Sequence, residues 1–516
     1  MRATDPDPLG RYTAIGALGA KAKIAVQKIL LPLTVALAGE SMILLFTGKP
    51  GAGAFMLMSA GTCATLKVWC SDALGLPLLP LMAIQGLIIY GIPIAVGHEV
   101  ILTYPPEFVW EAGVEVLIFN VAMAVAWKFG MRIFHPSPAM SYALHEFSKA
   151  GIKGWSRLGF GMLAAATAFQ IMQSLNLTDA INNALPSGAS SILAALVSVV
   201  SACGFFLVSM TIGGREASVV AKAAFWCLLI VNAMISASEF LLYGVAANLI
   251  TIAIGFFWSS CRVPWRYLIV AMLCLSFLNT GKTTMRERYW NNDYEPPSNQ
   301  SFDKLPSLYA EWIGVSYNAI LENNAEQAPS PTQAITTANK NQTLLDRIDN
   351  LQNMLFVIDA TKTEHVSFLH GATYSLIPPL LVPRVLWPDK PRSHEGQIIL
   401  NVHFGRQDLN STFATYIAWG LLAEAYGNFG PVIGSVFIGV FLGVVFAWIE
   451  NLTARKLVMS MEGFLSISLL MNLMNSFEMV ASVLVTSIFQ SFVIVVAASA
   501  PFVRRTNNRP PVSSDG

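Results

Sequence analysis

The chain has 516 residues, of which 54% are hydrophobic and only 12% are charged, about half the charged fraction of an ordinary soluble domain. A formal net charge of +1 provides no basic surplus for nucleic acid, which excludes that class of partner. The six cysteines fall in or beside apolar runs without CxxC spacing, which argues against a disulfide framework and a zinc site.

Twelve apolar runs dominate the sequence, and each is long enough to cross a membrane, because one helix spans the hydrocarbon core in about 20 residues. The runs are 29–47, 51–69, 77–96, 108–127, 157–176, 189–212, 220–240, 242–258, 265–281, 430–449, 463–479 and 481–500. The divisions within 220–258 and within 463–500 can be drawn in other ways. The sequence predicts an all-α polytopic membrane protein of about twelve transmembrane helices.

In the tails and the short loops, lysine and arginine fall on one side of this topology, and the short loops on the opposite side are nearly free of them, with Lys49 the exception. Because positive residues mark cytoplasmic loops, both termini are predicted to be cytoplasmic and the number of spans to be even. The predicted segments are a cytoplasmic tail at 1–28, a first bundle of about nine spans at 29–281, an extracytoplasmic loop at 282–412, the final spans at 413–503 and a second cytoplasmic tail at 504–516. In a bacterium that loop lies in the periplasm.

The long loop contains segments that predict local structure. Residues 305–321 and 343–361 favour short helices, the second with apolar residues at helical spacing. Residues 374–387 are apolar but broken by three prolines, which predicts a re-entrant or interfacial segment rather than a span. Structured loops of this size are usually functional.

A first cluster of chemically active residues lies near the end of this loop. Three cations, a carboxylate, a histidine and a tryptophan fall within eleven residues, at Arg384, Trp387, Asp389, Lys390, Arg392 and His394. Arginine makes bidentate contacts with phosphate and lysine acts as a point charge, so the cations could hold a diphosphate. The tryptophan could stack on a sugar face. An interfacial anchor whose cations meet lipid head groups explains the same composition equally well.

A second cluster, residues 419–430, lies where the loop returns to the membrane and contains Glu424, Tyr426 and Asn428. Apolar neighbours could desolvate Glu424 and raise its pKa toward the range of a general base. The glycines of the cluster would let the backbone approach a ligand closely. Composition alone slightly favours the alternative, a glycine-rich helix start with Glu424 facing water.

Other candidates are weaker. Arg347 could reach a phosphate, although an ion pair with the adjacent Asp346 is commoner for such a residue. Carboxylates within apolar runs are functional candidates by default, and structural hydrogen bonds nearly as often; they are Glu40, Glu111 and Glu115. The string from Gly281 to Thr284 ends like a phosphate-binding loop, but no strand precedes it and Ser276 replaces the required glycine, so a nucleotide site is rejected.

The two clusters, in this order, resemble those of the Wzy-type oligosaccharide repeat-unit polymerases, which build bacterial surface polysaccharides. The matching strings are Gly371-Ala372-Thr373-Tyr374, Pro383-Arg384-Val385-Leu386-Trp387-Pro388-Asp389-Lys390-Pro391 and Glu424-Ala425-Tyr426-Gly427-Asn428-Phe429-Gly430. The match at the level of residues covers about 343–432, and the chain before residue 282 is similar in hydropathy alone.

The resemblance implies a membrane glycosyltransferase of GT-C-like architecture in the bacterial inner membrane. Such an enzyme transfers a glycan from undecaprenyl diphosphate to the terminal sugar of a second lipid-linked unit, with no nucleotide sugar, cofactor or metal, and it leaves room for a partner that regulates chain length. The residues that would hold the diphosphate or the sugars are Arg347, Arg384, Trp387, Asp389, Lys390, Arg392, Arg406, Tyr426 and Asn428. Glu424 or His394 would act as the base, and Arg384 would take part directly in the reaction.

Three alternatives stay open. An O-antigen ligase, which attaches finished glycan to another acceptor, shares the same chemistry. A transporter or flippase of lipid-linked glycans would use Glu40 on a substrate path, although no internal repeat is visible. A scaffold without catalysis would use the long loop to bind a partner and the charged clusters as interfacial anchors.

Overall fold

The computed structural model describes residues 14–137, 140–175, 177–178, 189–213, 217–260, 264–290, 304–325, 349–382, 386–387, 389–409, 412, 417–457, 460–476, 479–499 and 503–507. The chain forms two compact units. The first, which we call the inserted unit, contains Glu146–Arg347 together with Met1–Gly10. The second, the flanking unit, contains Arg11–His145 and Ile348–Gly516.

The described residues are mainly helical. The helices are α1 (Ile15–Phe46), α2 (Ala52–Asp72), α3 (Leu78–Gly86), α4 (Ile92–Val96), α5 (Pro106–Ile133), α6 (His145–Ser174), α7 (Ala189–Gly213), α8 (Val219–Ala237), α9 (Tyr243–Ser260), α10 (Trp265–Tyr289), α11 (Leu305–Ala325), α12 (Leu351–Lys362), α13 (Ile377–Leu381), α14 (Glu395–His403), α15 (Leu421–Phe429), α16 (Ile433–Thr453), α17 (Met461–Ser476) and α18 (Ala481–Ser499). A π-helical turn, Leu87–Gly91, joins α3 to α4, and 3₁₀ turns cover Glu99–Thr103 and Tyr374–Leu376. Two short strands, β1 (Met140–Leu144) and β2 (Val503–Asn507), pair antiparallel.

Each of the twelve predicted apolar runs overlaps one of these helices or the continuous α3–α4 segment. Within the described residues, seven helical segments are long and apolar enough to cross a membrane. They are Ile15–Phe46, Leu78–Val96, Pro106–Ile133, Leu196–Gly213, Val219–Ala237, Trp265–Tyr289 and Ile433–Thr453. The predicted class, a helical membrane protein, is therefore confirmed, and the count of twelve spans stays a prediction.

Several boundaries differ from those predicted. Helix α1 begins at Ile15, well before residue 29, so the middle of the helix lies before Glu40, which is about two turns from the C-terminal end. Helix α10 continues past 281 to Tyr289. Hydropathy marks where a run stops being apolar, whereas helical hydrogen bonds continue through polar residues, and this difference shifts both boundaries.

Glycine packing joins α5 to α16 in the flanking unit. Gly439 and Gly443 lie four residues apart on α16 and face α5. A Cβ added to Gly439 would lie 2.7 Å from the carbonyl oxygen of Phe119, and one added to Gly443 would press on the carbonyl of Met123. Small residues let membrane helices approach at backbone distance, where dispersion contacts replace the missing hydrophobic drive. The start of α5 is thereby held beside the start of α16.

One end of the flanking unit is closed by the buried carboxylate of Glu450. It accepts hydrogen bonds from the backbone nitrogens of Leu74 at 2.8 Å and Gly75 at 2.9 Å, and from Nε1 of Trp127 at 3.0 Å. At the same end the backbone nitrogen of Ile15 donates to the carbonyl of Lys456 at 2.8 Å. The predicted orientation places all these segments on the cytoplasmic side.

The inserted unit contains two apolar cores. One joins Phe240 and Met285 to Leu305, Leu308 and Trp312 on α11, which confirms the predicted helix at 305–321. The other is formed by Leu163, Phe205, Val208, Phe225, Leu229 and Ile252. Burial of large aromatic and aliphatic side chains is the main stabilising term available to helices that have few polar contacts.

Candidate functional site

The site is built around α15, a short helix whose residues Leu421 to Asn428 are all buried. Both of its ends are glycine turns. Gly420 and Gly430 have φ of 79° each, a left-handed conformation that side chains other than glycine rarely adopt. A Cβ on Gly420 would also lie 2.7 Å from Nδ2 of Asn350. The turn at Gly430 separates α15 from α16, so the predicted tenth span begins at Ile433 rather than at 430.

Glu424 lies inside this helix with no exposed surface. Its Oε1 accepts a hydrogen bond from Oγ1 of Thr373 at 2.7 Å, and its Oε2 accepts one from the backbone nitrogen of Ala481 at 2.6 Å. Burial raises the pKa of Glu424 to about 7, although both hydrogen bonds oppose that rise. The alternative of a water-facing carboxylate is therefore wrong. This carboxyl group can gain or lose a proton near neutral pH.

Asn428 positions Thr373, the hydrogen-bond partner of the Glu424 carboxylate. Its Nδ2 donates to Oγ1 of Thr373 at 2.9 Å and to the carbonyl of Glu424 at 2.8 Å, while its Oδ1 accepts from the backbone nitrogen of Gly371 at 3.1 Å. The Thr373 hydroxyl accepts from Asn428 and donates to Glu424, so its direction is set. Since a hydroxyl oxygen has two lone pairs, one further acceptor position stays open by this count.

His394 stands at the start of α14, half-buried, with its Nδ1 2.7 Å from Oε1 of Gln397. The same helix end packs on the start of α18, where Oγ of Ser482 donates to the carbonyl of Ser393 at 3.3 Å. A Cβ on Gly396 would lie 3.1 Å from that Oγ and 3.7 Å from Cβ of Thr373. The structure thus brings the starts of α14 and α18 to the threonine that holds Glu424.

Tyr426 points to the start of α5, where its hydroxyl donates to Oε1 of Glu111 at 2.8 Å. The other oxygen of Glu111 forms an ion pair with Lys362. Burial, and then the bond to Glu111, raise the pKa of Tyr426. One turn later on α5, Glu115 accepts from the backbone nitrogen of Val432 at 2.8 Å. Both carboxylates of α5 therefore secure the two sides of the turn that follows α15.

Arg406 forms a second polar cluster in the flanking unit. Its guanidinium donates to Oδ1 of Asn353, and it lies 5.4 Å from the ring centre of Phe356 and 5.6 Å from that of Trp419. The indole nitrogen of Trp419 in turn donates to Oδ1 of Asn401 at 2.7 Å. Burial lowers the pKa of Arg406, but arginine stays charged at neutral pH. This is a cation held between aromatic faces.

The predicted cation cluster is only partly described. The Nζ of Lys390 donates to the carbonyls of Leu380 at 2.7 Å and Val382 at 2.5 Å, so the ammonium caps the C-terminal end of α13. The side chains of Trp387, Asp389 and Arg392 are exposed. Arg347 and Arg384 lie outside the described residues. The prolines do break the 374–387 segment, since α13 ends at Leu381.

Sequence reasoning missed several buried polar residues around the site. They are Asn353 on α12, Gln397 and Asn401 on α14, and Thr373, each at most 5% exposed. The sequence signal that could have found them was an amide or hydroxyl side chain inside an otherwise apolar segment. Such a side chain indicates a hydrogen-bond partner elsewhere in the fold, because buried polar groups are almost always paired. Within the ranges described above, no group of three or more His, Cys, Asp or Glu is arranged to hold a metal ion.

No family model, curated protein or solved structure matches the chain. The likeness to repeat-unit polymerases therefore rests on the three strings and on the order of the apolar runs. One of those strings contains Glu424 and Asn428, and another contains Thr373. In the structure these three residues form one connected set of hydrogen bonds.

Proposed function

We propose that the protein is a membrane glycosyltransferase that joins lipid-linked oligosaccharide repeat units into a polymer. The observation that carries the proposal is Glu424, a fully buried carboxylate whose pKa is raised to about 7 within a string that resembles those of repeat-unit polymerases. A base is most effective when its pKa lies near the working pH. Such a base near the acceptor hydroxyl assists its attack on a glycosyl diphosphate.

In the proposed reaction the acceptor hydroxyl donates to the open lone pair of Thr373, whose own proton passes to Oε1 of Glu424. The acceptor oxygen forms a bond to the anomeric carbon of the donor glycan. The bond from that carbon to the diphosphate oxygen breaks, and undecaprenyl diphosphate leaves with the electron pair. The 2.7 Å hydrogen bond from Thr373 to Glu424 supports this order of proton transfers. His394, at the neighbouring start of α14, is the second candidate base.

The departing diphosphate gains charge as the bond breaks, so fixed cations near it lower the barrier. We assign this role to Arg384, Arg392 and Arg347. Arg406, which lies between Phe356 and Trp419, would also contact a substrate phosphate. The contacts of Lys390 with two backbone carbonyls favour a positioning role, in which it holds the turn that presents Trp387 and Asp389. The exposure of Trp387, 43%, suits stacking on a sugar ring.

The proposed setting is the inner membrane of a bacterium, with about twelve spans in a GT-C-like arrangement and both termini cytoplasmic. The meeting of the segments around Ile15, Gly75 and Lys456 at one end of the flanking unit supports that orientation. The site then faces the outer leaflet, where an amphiphilic donor and acceptor can both reach it.

Purified protein in liposomes that contain lipid-linked repeat units tests the proposal. We expect longer lipid-linked chains and release of undecaprenyl diphosphate. Translocation without any change in glycan length would identify a flippase, and transfer to lipid A without chain extension would identify a ligase. Either result would overturn the polymerase assignment.

A matched pair of variants tests the relay through Thr373. Thr373→Ser keeps a hydroxyl beside Oε1 of Glu424, whereas Thr373→Val keeps the shape and removes it. We expect chain extension to persist in the first and to fall by about tenfold or more in the second, the scale of one hydrogen bond to a charged group. Equal activity of both variants would exclude Thr373 from the proton path.

A further inference from the structure

Two cations on one face of α10 lie inside the inserted unit, near the C-terminal end of this apolar helix. Lys282 is 3% exposed, and Arg286 is half-buried. Residues four apart on a helix are neighbours on its surface. The guanidinium carbon of Arg286 lies 4.2 Å from the ring centre of Trp290, the residue that follows the helix. Two positive charges and an indole therefore lie along one side of this helix end.

The donors of this group are not fully used. Nη2 of Arg286 donates to the carbonyl of Phe240 at 3.0 Å. In contrast, Nε of Arg286 and Nε1 of Trp290 are both buried, and neither has an acceptor among the described residues. Buried donors are almost always paired, because an unpaired one loses its hydration without compensation. Two unpaired N–H groups on the side of the helix that carries Lys282 indicate a position for an acceptor.

Neighbouring groups do not neutralise these charges. Glu311 on α11 accepts from Arg288 at 2.8 Å and from the hydroxyl of Tyr289 at 2.5 Å. No acidic side chain in the described part of the inserted unit pairs with Lys282 or Arg286. The helix dipole favours cations only within the last turn, and Lys282 lies about two turns before the end. Burial of unpaired cations is expensive, especially beside lipid.

The positions of Lys282 and Arg286 along α10 indicate which class of anion they would meet. Lys282 comes 17 residues after the first residue of α10, which corresponds to a rise of about 26 Å, and Arg286 lies about 6 Å further. The hydrocarbon core is about 30 Å thick. With Trp265 at one membrane surface, both cations reach the head groups of the opposite leaflet, where phosphate esters are concentrated.

We propose that Lys282, Arg286 and Trp290 form a binding site for the phosphate group of a membrane lipid. Nε of Arg286 and Nε1 of Trp290 donate to its oxygens, and Lys282 supplies a point charge. The site lies wholly in the inserted unit. It goes beyond the proposed glycosyl transfer, and its failure would leave the assignment of Glu424 untouched.

Binding of phosphatidylglycerol to the purified full chain tests this site. The protein in uncharged detergent is titrated with phosphatidylglycerol, with phosphatidylcholine, and with inorganic phosphate and pyrophosphate, while the amount of bound ligand and the thermal unfolding of the protein are followed. We expect saturable binding of phosphatidylglycerol. Trp290→Phe keeps an aromatic ring beside Arg286 and removes the N–H donor, and Lys282→Met keeps an unbranched apolar side chain and removes the ammonium group. Each should weaken binding by about tenfold.

Arg288→Gln is the matched control, because Arg288 lies on the same helix and pairs with Glu311. It should leave the affinity for phosphatidylglycerol unchanged. Saturable binding of pyrophosphate that is lost in Lys282→Met would assign the site to soluble phosphates instead of lipid and overturn the lipid proposal. Unchanged affinity in both Lys282→Met and Trp290→Phe, which thermal unfolding would show to be folded, would also overturn it.

Discussion

Replacement of Glu424 by glutamine separates the charge of this side chain from its shape. The amide oxygen of the variant can still accept from Thr373, but its NH₂ group would face the backbone N–H of Ala481, which now donates at 2.6 Å. One hydrogen bond is lost, which costs about 1–3 kcal/mol. The variant also carries no charge at any pH, so the two proteins must differ in how their stability depends on pH.

The size of that difference follows from the pKa of Glu424. Burial raises it from 4.5 to about 7, and each unit corresponds to about 1.4 kcal/mol. Because the folded state binds this proton more tightly than the unfolded state, the stabilisation from the group is complete below pH 4.5 and is lost as pH rises through about 7. Over this window the free energy of unfolding of the wild type should fall by about 3 kcal/mol relative to Glu424→Gln.

Thermal unfolding of the detergent-solubilised wild type and Glu424→Gln between about pH 5 and about pH 8 measures this difference in stability. Chain extension is assayed at the same pH values. We expect the gap in unfolding temperature to shift in favour of the variant as pH rises, while its chain extension falls by about 100-fold or more. Glu450→Gln, a change of a buried carboxylate at the other end of the flanking unit, is the control in the activity assay, because it should destabilise the protein without removing the proposed base. If the unfolding temperatures of the wild type and Glu424→Gln changed in parallel with pH, the raised pKa of Glu424 would be refuted. If Glu424→Gln kept chain extension within about threefold of wild type, the role of Glu424 as base would be refuted.

Three further predictions concern other parts of the chain. Arg384→Ala should block chain extension and leave single repeat units on lipid in a gel of surface glycan, and polymers of wild-type length would contradict this. Arg406→Lys should raise the KM for lipid-linked substrate by about tenfold, since an ammonium lacks the planar fork; an unchanged KM would remove Arg406 from substrate binding. Gly443→Val should destabilise the protein by about 1–3 kcal/mol in thermal unfolding, because a Cβ there presses on the carbonyl of Met123. Gly39→Ala, where nothing lies within 4 Å of the added Cβ, should have no such effect, and equal shifts in the two variants would contradict this packing.

Much of the fold was predictable because a membrane imposes a strong local rule. A helix that crosses lipid must be apolar along about 20 residues, so each span is visible without knowledge of its neighbours. The helices at Leu305–Ala325 and Leu351–Lys362 were also visible from local patterns. Proline marked the end of α13 for an equally local reason, since it disfavours helical backbone in the residue before it.

The contacts of the site were not predictable, because they join distant parts of the chain. Glu424 and Thr373 are 51 residues apart, and Glu424 and Ala481 are 57 apart. Periodicity reports which face of a helix is apolar, but it does not say which distant donor a buried carboxylate will find. It also could not decide between a buried and a water-facing Glu424, because that depends on how α18 packs over the helix.

The proposed base is held in place through contacts of α15 and of the turn that follows it. Around the base, α15 is fixed to α5 through Tyr426 and Glu111, and the next turn is fixed through Val432 and Glu115. The α5–α16 glycine contact holds both attachments. In the predicted phosphate cluster, Trp387, Asp389 and Arg392 are exposed, whereas Lys390 is bonded to the end of α13. A rigid base lowers a barrier only when its reacting partner is also positioned. In the proposed reaction, therefore, the polymer-forming step depends on both substrates being in place against the fixed Glu424.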